Sequence, residues 1–120
     1  MDNKEFSKKI EKRTREFAVR IIHLASQLPD TIEGRVIRNQ IVKSGSSIGA
    51  NYREANRARS KADFLNRISI CESEASETQY WLEIIKDLKW VPGKLIDSEY
   101  NESSELLALF TAIGKKGKQK

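Results

Sequence analysis

Four stripes of apolar residues at three-and-four spacing, parted by short breaks, constrain this chain more than any other feature. The first runs Phe6, Ile10, Phe17, Ile21, Leu24 and Leu28, interrupted at Arg13 and Thr14 and widened by Ala18, Ile22 and Ala25. Pro29-Asp30-Thr31 stops it and offers Asp30 or Thr31 as the next N-cap, with Glu33 in the first turn where negative charge is favoured. The second stripe is Ile37, Ile41, Ser44, Ile48, Asn51, Ala55 and Ala58. Ser60, with Asp63 three residues on, resembles a capping box and opens the third: Phe64, Ile68, Cys71, Ala75, Thr78, Leu82, Ile85. Trp90-Val91-Pro92-Gly93 breaks the pattern. Ser98 is the expected cap of a fourth segment holding Leu106, Leu107, Leu109, Phe110 and Ile113, with Gly114 its terminator. The spacing therefore predicts helices over about 4–28, 31–58, 61–89 and 98–114, and a frayed basic tail over 115–120. No segment alternates with period two. Short connections between four amphipathic helices imply one all-α domain over residues 1–120, an antiparallel up-down four-helix bundle.

A chain of 120 residues builds such a core without disulfide or metal staples, and its single cysteine, Cys71, has no internal partner. No apolar run approaches the roughly 18 residues of a membrane span. The opening MDNKEFSKKIEKR lacks the apolar segment of a secretory signal. The expectation is a cytoplasmic protein with no membrane partner. The net charge of +5 makes polyanions plausible partners. That charge is uneven: residues 1–28 carry seven Lys/Arg against four acids, and residues 29–60 six against three. Residues 61–90 reverse the balance, with four against six. Such asymmetry suits RNA, and it equally suits subunits that meet through opposite faces.

Motifs for enzyme chemistry are missing where they would be needed. GSSIG has the glycines of a phosphate loop but neither the lysine nor the preceding strand, and the apolar period runs through it unbroken. Glu74 and Glu77 sit one turn apart and Glu54 is placed to face them, yet no Glu-x-x-His accompanies them and His23 lies on another helix. These carboxylates are expected to pair with arginines or with Asn51. Cys71 falls on a core stripe, where a thiol acts as a small hydrophobe. Ser44, Ser46 and Ser47 have no histidine nearby. The expectation is a non-enzymatic protein with no catalytic residue, cofactor or metal. Gly45 and Gly49, with Ala50 beside them, mark a close helix crossing that accepts roughly 1 kcal/mol per glycine relative to alanine.

Two surface features remain. Arg35 and Arg38, then Arg53, Arg57 and Arg59, lie at helical spacings that let their side chains track successive phosphates, with Lys115 and Lys116 assisting from the tail. Helix three carries a second apolar stripe, Ile70, Trp81, Ile84 and Leu88, with Tyr80 next to it. That stripe is either a broad core face or, for Tyr80, Trp81, Ile84 and Leu88, an oligomer interface.

SGSSIGANYREANRARSKADF, followed by E-x-x-E-T-Q-Y-W-L-E, resembles the 23S rRNA intervening-sequence family of bacterial proteins. The likeness covers the first three helices, including Leu28-Pro29, and the fourth only in character. It implies an up-down four-helix bundle that can assemble into a ring-like pentamer, in proteins of which some are encoded inside insertions in large-subunit ribosomal RNA genes. A related branch, similar to the accessory variability determinant of diversity-generating retroelements, joins a reverse transcriptase and nucleic acid through a basic pentameric barrel. The resemblance carries over no catalytic residue. The expected function is a homo-oligomeric scaffold, a pentamer, that holds RNA or a nucleic-acid-processing protein on a basic surface. The alternative is a protein-interaction adaptor whose charge serves assembly alone.

Overall fold

Thr31 and Ser60 turn the chain into its second and third helices by the same device. Each has an extended backbone, and each hydroxyl accepts a hydrogen bond from the amide three residues on, Gly34 N and Asp63 N, both at 3.0 Å. That satisfies one of the amides a helix start leaves unpaired. The computed structural model describes residues 3–119. It contains α1 (Asn3–Ala25), α2 (Ile32–Ala55), α3 (Lys61–Leu88) and α4 (Gly93–Lys118), and no strand among the described residues. Successive helices pack against each other, and α4 closes more thinly on α1. This is an antiparallel four-helix bundle measuring 47 × 25 × 20 Å.

The stripes meet along the bundle axis. Phe17, Ile21, Ile41, Ile48, Ile68, Leu82, Ile85, Leu106 and Phe110 are fully buried. Tyr52 joins them, tilted against Phe110 at 5.7 Å, in place of Asn51, which is only half-buried. Ser44 and Thr78 face each other inside and share a 2.9 Å hydrogen bond, so neither buried hydroxyl is orphaned.

Helix ends differ from the sequence expectation in four places. The first helix stops at Ala25 because Gln27 and Leu28 donate three residues back, to Leu24 and Ala25, tightening the chain into a turn. Arg38 of α2 then donates to the Ala25 and Leu28 carbonyls at 3.2 and 2.9 Å, capping that end. The second helix likewise ends at Ala55, with Ala58 in the following turn.

The fourth helix starts at Gly93, not after Ser98, with Pro92 at its N-cap. Its core stripe runs Ile96, Glu99, Ser103, Leu106, Phe110 and Gly114, so a buried glutamate and a buried serine hide the early turns from an apolar reading. At the other end α4 continues through Gly114, which faces Ile68 and Glu72 of α3 with room for a β-carbon. Lys115, Lys116 and Lys118 are therefore helical, and Lys120 lies outside the described residues.

Residues 44–50 are helical throughout and form the crossing of α2 over α1. A β-carbon on Gly45 would stand 2.9 Å from Ile21 Cγ2, and one on Gly49 2.9 Å from Thr14 Oγ1. Ala50 is exposed and borders the contact rather than filling it.

Candidate nucleic-acid interface

The antiparallel order decides which charged residues become neighbours. Asn56 donates to Glu11 at 2.8 Å, bringing the end of α2 beside the start of α1. Thr111 donates to Glu72 at 2.9 Å, bringing the end of α4 beside the first half of α3. One end of the bundle is thus built from residues 3–12, 51–70 and 108–119. Those segments hold twelve Lys/Arg against four Asp/Glu. The other described residues hold nine against twelve. A modest positive net charge is in fact a strongly basic end on a mildly acidic body.

Five of the seven cations singled out in the sequence sit at that end. Arg53, Arg57, Arg59, Lys115 and Lys116 are all exposed, as are Lys4, Lys8, Lys9, Lys12, Lys61 and Lys118, with half-buried Arg67 beside them. Arg53 approaches an acid only at 4.0 Å, from Glu11. Arg57 and Arg59 make no side-chain hydrogen bond or ion pair among the described residues. Just above the end, a shallow groove of about 140 Å³ between α1 and α2 is floored by Thr14, Gly49 and Ala50 and flanked by Arg15 and Arg53.

Arg35 and Arg38 do not belong to this surface. They lie at the opposite end of α2, where Arg35 pairs with Asp30 at 2.9 Å and half-buried Arg38 is committed to the Ala25 and Leu28 carbonyls. Their sequence spacing is right for phosphates, but the up-down topology sends them the wrong way.

The acids also sort differently from expectation. Asn51 Oδ1 accepts from Arg67, Glu77 accepts from the Trp81 indole at 3.3 Å, and Glu54 is exposed. The ion pairs that bind helices lie instead on the α1–α4 seam, which sequence reading missed. Arg13 grips Glu102 through two 2.7 Å hydrogen bonds and reaches Glu105 at 2.9 Å, while Arg20 meets Glu99 at 3.1 Å. The hydrogen bonds and charge of Glu102 push the Arg13 guanidinium to a still higher pKa than an ordinary arginine. A signal existed: acids three apart on α4 face arginines seven apart on α1.

On α3, Tyr80 is 56% exposed and Leu88 47% exposed, while Trp81 and Ile84 are half-buried. The Tyr80 ring stands edge-on to Trp81 at 5.0 Å. Val36 of α2 is also exposed. The antiparallel pairings Ser44–Thr78 and Asn51–Arg67 set it level with Ile84 and Leu88. Cys71 is fully buried, and burial pushes its thiol pKa up to about 12. Among the described residues no three of His, Cys, Asp or Glu gather in a metal-holding group, and no helix is long and apolar enough to cross a membrane.

The sequence profile of the 23S rRNA-intervening sequence proteins matches residues 7–112. This chain belongs to that family. Among solved structures, a protein of unknown function from the S23 ribosomal protein family of Bacteroides thetaiotaomicron superposes with a TM-score of 0.83 at 40% sequence identity. The match covers 88% of this chain and 98% of that one. No curated protein matches the sequence. The intervening-sequence protein match takes in all of α2 and α3, so both the glycine crossing and the arginines that follow it fall inside it.

Proposed function

We propose that this protein is a non-enzymatic, homo-oligomeric scaffold that holds RNA, or a protein that processes it, against its basic end. The single observation behind this is the surplus of eight positive charges that the topology gathers from three separate stretches of sequence onto one end of the bundle. Arg53, Arg57, Arg59, Lys115 and Lys116 supply phosphate contacts there, and the binding is largely independent of sequence. The family carries a ribosomal RNA context in its name, which agrees with an RNA ligand.

Assembly draws on a different surface. The outer face of α1 beyond the basic end presents Arg15, Val19 and Ile22, and that of α3 presents Glu77, Tyr80, Ile84, Asp87 and Leu88. One face is basic and apolar, the other acidic and apolar, and the helices stand at opposite corners of the bundle. A contact of α1 in one copy with α3 in the next is heterologous, and heterologous contacts close into a ring when the rotation per copy divides a full turn. A ring of five is the number the family resemblance implies.

The adaptor reading, with charge used only for assembly, rests on those two opposed faces. Charge reversal at Arg53→Glu with Arg57→Glu separates the readings, because neither residue lies on the assembling faces. The RNA reading expects loss of RNA retention at about 50 mM salt with oligomers intact by light scattering. Retention that survives the substitutions, or that ignores salt, refutes it. Broken oligomers favour the adaptor.

A further inference from the structure

We infer that the nucleic acid held at the basic end is double-stranded, gripped by its phosphate backbones and not by its bases. This rests on the RNA reading above and narrows its ligand.

Single strands are held by pairing a basic groove with flat aromatic rings on which successive bases stack. Sequence-reading RNA modules stack splayed bases on aromatics in the same way. The basic end offers no such platform among the described residues. Tyr52 and Phe110 are buried against each other, and Phe64 is half-buried against the core. Phe6 alone reaches the surface, 36% exposed. The freely exposed Tyr80 lies in the other half of α3, away from the lysines.

What the end does offer is charge density over a broad area. Contacts made only to phosphates favour the ligand with the most phosphates per length, and a duplex carries one per about 1.7 Å of axis. Across the 25 Å width of the bundle a duplex presents about fifteen phosphates. A four-helix end of 25 × 20 Å is too broad to enter the major groove of DNA, about 12 Å wide, and the deep major groove of an RNA duplex is narrower still. It therefore lies across the groove and touches both strands.

The test uses the full chain at 100 mM salt (roughly physiological screening) with a blunt RNA duplex of roughly 20 base pairs and its unstructured pyrimidine strand alone. Duplex binding about tenfold or more tighter than the single strand, with a steeper salt slope, is the expected result. A DNA duplex of the same sequence should bind comparably, since phosphates carry the contact. Phe6→Ser should leave both affinities unchanged. Single-strand binding as tight as the duplex, or a loss of more than about fivefold on Phe6→Ser, overturns the inference while leaving RNA binding standing. Binding of neither probe at low salt removes the RNA reading itself.

Discussion

At Gly45 the space for a β-carbon is already taken: Ile21 Cγ2 would lie 2.9 Å away and two further Ile21 atoms 3.3 Å away. Ile21 is fully buried and has nowhere to retreat. Gly49 meets Thr14 in the same way, and the Thr14 hydroxyl is already bonded back to the Ile10 carbonyl at 2.8 Å. Alanine gains about 1 kcal/mol of helix propensity over glycine, while overpacking a tight contact costs about 1–3 kcal/mol. Gly45→Ala and Gly49→Ala should each destabilise by about 1–2 kcal/mol net. At Gly114 the same change meets only ordinary contacts, at 3.7 Å and beyond. Gly114→Ala should therefore stabilise by up to about 1 kcal/mol. Denaturant midpoints at constant m-value read both signs, and a stabilising Gly45→Ala would mean the crossing is looser than described. The crossing was legible in the sequence because the apolar period runs on through both glycines. Gly34 was not: a side chain there would strike the Pro29 carbonyl oxygen, and spacing does not show the chain folding back over its own helix start.

Among the elements, α4 was the hardest to foresee. Its core positions at Glu99 and Ser103 are polar, and each is satisfied only by something distant or local that spacing does not reveal. Glu99 accepts from Arg20 across the seam, and Ser103 donates to the Tyr100 carbonyl at 2.7 Å. The other three helices were plain in outline because their stripes are apolar and two of their starts carry hydroxyl caps. The α1–α4 seam has the thinnest packing, so its long charged side chains contribute more to holding it than surface pairs usually do. Glu102→Ala should cost about 1–2 kcal/mol, at the lower end because the Arg13 side chain remains 35% exposed. The loss should shrink in high salt. Double-mutant cycles with Arg13→Ala measure the coupling, and a coupling near zero would show that this pair does not help hold the seam.

For the molecule as a whole, charge and apolar surface are assigned to different places. The cations at 53, 57, 59, 115 and 116 are far apart in sequence, and their meeting needed the antiparallel order. The two at 35 and 38 had equally good spacing and lost their place to that same order. Apolar exposure gathers on the sides instead. On the proposed assembly, Tyr80→Lys with Leu88→Lys should give a monomer by light scattering where the unaltered protein is oligomeric, while leaving the helical content and melting of the bundle intact. An unchanged mass would place the assembly contact elsewhere. The separation of a basic end from an acidic body has a kinetic side as well. Such a molecule is an electric dipole aligned with its long axis, and in the field of a polyanion it experiences a torque before it makes any contact. It arrives end first. Few encounters are wasted on the wrong orientation, so the association rate should exceed that of an evenly charged protein of the same net +5 and fall toward it as salt shortens the reach of the field.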